Sequence, residues 1–160
     1  MLLLTELRGL LDRRGFTGRL SVTAPATVGR WSPQLLEEIT PLLDQVDPLF
    51  YDSERTTAAA YEQWVREGLA YYSADSAPGT RLIPDLPSYG ANRWHDPAVE
   101  NLTTATDAVG EALGAGDRVN GAGIFWWWGF YYDEEGEGSY DGAADRAVWL
   151  ERSLSLPFTP

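Results

Sequence analysis

Val46-Asp47-Pro48-Leu49-Phe50-Tyr51-Asp52-Ser53-Glu54 (VDPLFYDSE, residues 46–54) begins as an apolar run and ends abruptly in polar groups. A short run of this kind reads as a strand, here Val46 to Tyr51, with its chemistry at the C-terminal tip. Helical patterns flank it on both sides. Upstream, Ser32 is a natural N-cap with Pro33 at the first helical position, and Leu35, Leu36, Ile39, Leu42 and Leu43 continue a stripe whose regular part ends near Pro41. Downstream, Thr56 to Ala74 carries Tyr61, Trp64, Val65, Leu69 and Tyr72 at helical spacing before Pro78-Gly79 breaks it. A strand between two helices cannot close a hairpin, so it must pair in parallel.

The alternation repeats outward in both directions. Leu3, Leu4, Leu7, Leu10 and Leu11 stripe a first helix over Met1 to Arg14, and Arg19 to Ala24 (RLSVTA) is the first strand. Arg81 to Leu86 (RLIPDL) is a third strand, weakened by Pro84. Asp96-Pro97 opens a helix with Val99, Leu102, Ala105, Val109 and Leu113 on one face; Gly121 to Trp127 (GAGIFWW) is a fourth strand, and a last helix runs to Arg152. The order α-β-α-β-α-β-α-β-α predicts an α/β fold: an N-terminal helix, then four βα units joined by right-handed crossovers, in a single domain over residues 1–160. Four parallel strands cannot close a barrel, so open edges and an exposed hydrophobic sheet face are expected. A missing half on the same gene, a homodimer or complementary half-barrel, and a repacked monomer would each cover them.

Composition narrows the function. The chain of 160 residues has a 44% hydrophobic fraction and no apolar run long enough to span a bilayer. Glu6, Arg8 and Asp12 interrupt the N-terminal leucines, so no secretory signal is read; the compartment stays open, with cytoplasm the default. With no cysteine and a single histidine, disulfides, thiolate sites and multi-histidine metal sites drop out. Neither a metal nor a cofactor is expected. The formal net charge of −12 disfavours a nucleic-acid partner, since that affinity rests on basic residues neutralising phosphates.

Parallel α/β sheets bind ligands at the C-terminal ends of their strands. Those ends are Thr23-Ala24-Pro25, Tyr51-Asp52-Ser53-Glu54, Pro87-Ser88-Tyr89 and Trp126-Trp127-Trp128. Aromatic rings, hydroxyls and carboxylates on one rim suit a carbohydrate, whose C–H faces stack on rings while its hydroxyls bond carboxylates.

These segments resemble glycoside hydrolase family 18, the chitinase-like TIM barrels. VDPLFYDSE is similar to that family's strand six, which ends in Tyr-Asp; Leu86-Pro87-Ser88-Tyr89-Gly90 resembles its strand seven; Gly121 to Trp128 resembles its strand eight, which ends in an active-site tryptophan. His95 with Glu100-Asn101 looks like a helix opening found in related barrels. The resemblance implies the parallel (βα)4 half of a TIM barrel, strands five to eight, acting on or binding N-acetylglucosamine-type polysaccharide. It gives Tyr51, Asp52 and Tyr89 to the sugar, with Trp126 or Trp127 as the floor of the subsite. Alternation sends those two tryptophans to opposite faces, so one of them serves.

The family's catalytic glutamate, in D-x-x-D-x-D-x-E at strand four, has no intact copy here. Asp47-x-x-Phe50-x-Asp52-x-Glu54 matches three of the four positions. In that register Glu54 is the general acid and Asp52 orients the substrate's acetamido nucleophile, but only two strands follow where four are needed. A half-barrel that is inactive alone, a glycosidase, and a non-catalytic carbohydrate-binding or assembly module all stand at this stage. Plainer readings stand beside them. Tyr51 and Asp52 can be a strand end and the charge opening the next helix, Glu54 a solvated acid at that helix start, and His95 a capping or hydrogen-bonding residue. Asp133, Glu135, Glu137, Ser139 and Asp141 echo a calcium loop, but Ala144 stands where the closing glutamate belongs, which favours a solvated acidic loop.

Overall fold

The computed structural model of the chain describes residues 2–125 and 142–158. Helix α1 (Leu2–Arg13) precedes β1 (Ser21–Pro25), α2 (Pro33–Ile39) with a 3-10 turn at Thr40–Leu42, β2 (Gln45–Leu49), α3 (Ala58–Asp75), β3 (Arg81–Leu82), β4 (Asp85–Pro87), α4 (Leu102–Ala115), β5 (Gly123–Phe125) and α5 (Gly142–Ser153). Every strand pairing is parallel. The sheet runs β1-β2-β4-β5 with β3 also on β2, so strands follow one another across the sheet in chain order without reversal.

Local chemistry sets the boundaries. Ser32 Oγ accepts from the Leu35 N–H and Pro33 opens α2; Pro41 then forces the change to a 3-10 turn. The Thr57 hydroxyl caps α3 through the Ala60 N–H. Gly116, at φ 95°, closes α4 in the left-handed conformation that glycine adopts without a Cβ penalty. The third predicted strand is split into β3 and β4 because Pro84 has no N–H to donate, although its carbonyl still accepts from Gly123 at 2.8 Å. The expected helix opening at Asp96-Pro97 is corrected: those residues form a turn. The helix begins at Leu102, where Asn101 and Thr104 make a reciprocal capping box.

Alternation divides the sheet into two faces. Val46, Phe50, Leu82 and Leu86 point toward the helices and are buried against Leu36, Tyr61, Val65, Leu69, Leu102 and Val109. Each such side chain contributes about 1.5–3 kcal/mol on leaving water. Two α3 tyrosines reach across the core to strand ends: Tyr72 donates to the Pro25 carbonyl at 2.8 Å and Tyr61 to the Phe50 carbonyl at 2.7 Å. Pro25 is the last residue of β1 and Phe50 lies just past β2, so both hydroxyls reach acceptors where the strands end.

The expectation of a hydrophobic open face is corrected. The second face carries Ser21, Gln45, Asp47 and Asp85, with Gln45 donating to Asp47 at 2.6 Å. Burial raises the Asp47 acid, opposed by hydrogen bonds from Gln45 and Ser21. Burial, with Asp47 on the adjoining strand, pushes Asp85 up to about 6.

Helix α3 packs closely at Gly68 against Phe50, just past β2, and the backbone of Ala26, just past β1. A Cβ there would stand 2.6 Å from Phe50 Cε1 and 2.9 Å from the Ala26 carbonyl oxygen. Replacing an exposed helical glycine with alanine gains about 1 kcal/mol of helix propensity. Here overpacking dominates, so Gly68→Ala is expected to lower stability by about 1–3 kcal/mol. A rise in the urea midpoint would show that the two elements do not meet as described.

Candidate functional site

Because the strands are parallel and in chain order, the β2 and β4 tips and the end of β5 lie side by side. Tyr51 follows β2 and stacks on Phe125 at the end of β5, with ring centroids 4.0 Å apart and planes 8° apart. Tyr89, past β4, meets both rings edge-on, at 6.3 Å from Tyr51 and 5.7 Å from Phe125. Two of the four predicted strand tips, those at Tyr51 and Tyr89, therefore share one rim with Phe125. The tryptophans 126, 127 and 128 and the acidic stretch 133–141 lie outside the described residues.

Asp52 leaves the strand with φ 52°, and Glu54 repeats the left-handed backbone at φ 56°. Neither is glycine. Such a conformation costs a residue like glutamate about 1–2 kcal/mol, so surrounding contacts must hold it. They come from the segment after β4. Asp52 Oδ1 accepts from the Tyr89 hydroxyl at 2.8 Å and from Asn92 Nδ2 at 3.3 Å. Ser53 donates its N–H to Glu100 Oε1 at 3.1 Å and its hydroxyl to the same oxygen at 2.6 Å. The Glu54 N–H donates to the Trp94 carbonyl at 3.2 Å.

Glu100 is buried at 1% exposure, and its Oε2 lies 3.3 Å from Nδ1 of the equally buried His95. His95 stacks on Tyr89 at 4.0 Å, and its Nε2 is 3.1 Å from the Tyr89 carbonyl. Asn92 shapes the same segment, with Oδ1 accepting from the Trp94 and His95 N–H groups at 2.7 and 3.1 Å. The single histidine thus has the hydrogen-bonding role, within a buried network that fixes the loop bearing Asp52.

Burial raises the Tyr51 phenol to about 12, aided by the charges of Asp85 and Asp52. Tyr89 is driven further upward, first by burial and then by its bond to Asp52. Both remain hydrogen-bond donors at neutral pH. The reading of Asp52 and Glu54 as charges opening the next helix is corrected: α3 is capped by Thr57 and has no acid in its first turn.

A cleft of about 580 Å³ opens beside this rim, bordered by Thr27, Arg30, Tyr51, Asp52, Glu54, Arg55 and Trp64. Tyr89 is buried and does not border it. At the opposite end of the strands a hollow of about 400 Å³, bordered by Pro33, Glu37, Pro41 and residues 74–78, has no aromatic or basic side chain. Among the described residues no three His, Asp or Glu side chains converge where a metal ion would sit, and no described helix is long and apolar enough to cross a membrane. Asn92, Arg30, Phe125 and the pairing of Ser53 with Glu100 were not foreseen. Only the capping pattern Asn101-x-x-Thr104 left a local signal.

Comparison with protein-family models, with curated proteins and with solved structures gave no match to this chain.

Two outcomes follow from this geometry. Glu100→Ala removes the acceptor for both Ser53 donors and the partner of His95, and is expected to destabilise the fold by about 2–4 kcal/mol, read by chemical denaturation. The raised Asp85 acid stabilises the protein most below about pH 4, and that contribution is lost as pH rises through about 6. Asp85→Asn should accordingly match the parent near pH 4 and exceed it by about 1 kcal/mol at pH 7, after discounting for the solvent that still reaches the group. Parallel thermal-unfolding profiles for the two proteins from pH 4 to 7 would refute the assignment.

Proposed function

We propose that this chain is a (βα)4 half of a TIM-type barrel, similar to the C-terminal half of chitinase-like glycosidases, that binds N-acetylglucosamine-type saccharide at its strand tips. The observation that carries the reading is the loop-held carboxylate: Asp52, fixed by Tyr89 and Asn92, beside Tyr51 at the mouth of a cleft large enough for about two sugar rings. Tyr51 keeps one ring face against Phe125 and borders the cleft, so it contacts the sugar. Asp52 accepts from sugar hydroxyls, and Tyr89 positions Asp52 through its hydroxyl. Trp126 or Trp127 would complete the floor.

The non-catalytic form of this reading is the better supported. Glu54, the one candidate acid, is exposed, and among the described residues nothing shields it from water. Glycoside hydrolysis needs an acid held beside the scissile bond in a site that favours its protonated form. The binding-and-assembly alternative, in which a second copy or a complementary half-barrel completes the sheet, is favoured by one specific feature. Among the described residues β1 pairs on one side only, with β2.

Titration with an oligomer of β-linked N-acetylglucosamine, followed by tryptophan fluorescence and calorimetry, tests the proposal. Binding is expected, with a loss of about tenfold in Tyr51→Ala and in Asp52→Ala, and no turnover of a chromogenic analogue. Failure to bind at about 10 mM would remove the saccharide reading. Turnover that disappears in Glu54→Gln would make the chain an enzyme instead.

A further inference from the structure

We infer that the saccharide recognised at this rim is anionic, carrying carboxylate or sulfate groups along its length. The inference deepens the saccharide reading and rests on it.

The chain holds twenty-four acidic and twelve basic residues. Of those twelve, Arg8, Arg66 and Arg152 pair with carboxylates elsewhere on the surface. Arg30, Arg55 and Arg93 form no ion pair among the described residues, yet they gather around the strand tips. Arg30 and Arg55 border the 580 Å³ cleft, and Arg55 also borders an adjoining hollow of about 530 Å³ with Arg93. Two of the three lie against indole rings: the Arg55 guanidinium is 5.9 Å from the Trp64 centroid and that of Arg93 is 3.6 Å from the Trp94 centroid. Trp94 is 43% exposed. Stacking restricts a guanidinium's freedom while leaving its N–H edge available, and that planar fork matches a carboxylate or sulfate.

Opposing charges must be counted in the same place. Asp52, Glu54 and Asp96 border these hollows. Asp52 Oδ1 is engaged by Tyr89 and Asn92, and Asp96 Oδ1 accepts the Ala98 N–H at 2.9 Å, which leaves Glu54 as the carboxylate whose side chain has no hydrogen bond among the described residues. Hydrogen bonds from neutral donors leave Asp52 and Asp96 charged, so three guanidiniums face three carboxylates and the rim is close to neutral on a chain of net −12; what sets the arginines apart is that among the described residues their N–H edges are unshared, while Asp52 and Asp96 already hold donors. At physiological ionic strength charges act over about 8 Å, so this local balance governs a docked ligand more than the net −12 does. The two hollows meet at Glu54 and Arg55, so a chain of several sugars can run from one to the other and present successive anionic groups to successive arginines.

The intact protein is to be titrated with two oligomers of equal length: neutral β-linked N-acetylglucosamine, and one alternating N-acetylglucosamine with glucuronate. A sulfated version of the neutral oligomer separates sulfate from carboxylate. The anionic oligomers are expected to bind about tenfold tighter than the neutral one, with the ratio falling toward one in the Arg30→Gln/Arg55→Gln double variant and at high salt. Both arginines are exposed and unpaired, so circular dichroism should show an unchanged fold. Equal affinity for neutral and anionic oligomers, or a preference that survives the double variant, overturns this inference and leaves the saccharide reading intact. If none of the three oligomers binds, the saccharide reading falls and takes this inference with it.

Discussion

Ser53 is held between two residues in left-handed backbone, and what holds it is the buried carboxyl of Glu100. Ser53 gives that carboxyl both of its donors, and His95 faces the other oxygen. Ser53 and Glu100 are 47 residues apart, so the contact ties the tip of β2 to the start of α4 across the whole intervening βα unit. The direction Asp52 takes out of the sheet depends on this tie. Without it the Asp52–Glu54 backbone would relax toward ordinary φ values and the carboxylate would leave Tyr89. A few hydrogen bonds of about 1 kcal/mol each are enough to offset the backbone cost at two positions.

The helices do similar work from beneath. Tyr61 and Tyr72 bring hydroxyls from α3 to the carbonyls at the ends of β2 and β1, where the ladder stops and the chain turns toward the rim. Burying two phenols in a core is unfavourable unless each hydroxyl finds an acceptor, and here the acceptors are the strand-end carbonyls. Gly68 allows α3 to lie close enough for both bonds to form. The rim is therefore supported by one helix through tyrosines and by the next through Glu100, which places the candidate site on fixed elements although its residues are in loops.

Much of the fold was legible because its signals are local. Ser32-Pro33, Pro41 and the Pro78-Gly79 stop act within a turn of where they stand, and helical striping against short apolar runs gave the α/β alternation and the parallel pairing. Boundaries failed where two local signals competed. Asp96-Pro97 and Asn101-x-x-Thr104 are both helix openings, and the second prevails because its cap is reciprocal and leads directly into the apolar stripe. The character of the open face was misjudged for a different reason. VDPLF has the composition of an apolar run, whereas alternation sends Val46 and Phe50 to one side and Asp47 to the other, so the run is two-faced. Of the site, Tyr51, Asp52 and Tyr89 were found because strand ends in parallel sheets are special positions. Asn92 and Arg30, and the partnership of Ser53 with Glu100, were not, because contacts across tens of residues leave no periodic trace. The left-handed Asp52 and Glu54 were equally hidden, since neither is the glycine that such a backbone usually announces.

A carboxylate oriented in this way suits recognition of a ligand donor. Asp52 Oδ1 already accepts from a phenol held protonated by burial and from an amide. A ligand hydroxyl arriving at Oδ2 meets an acceptor whose orientation is already set, and the binding free energy is not reduced by ordering the side chain. On the proposed reading, the network centred on Glu100 supports a rim that reads hydroxyls and, through Arg30, Arg55 and Arg93, anionic groups.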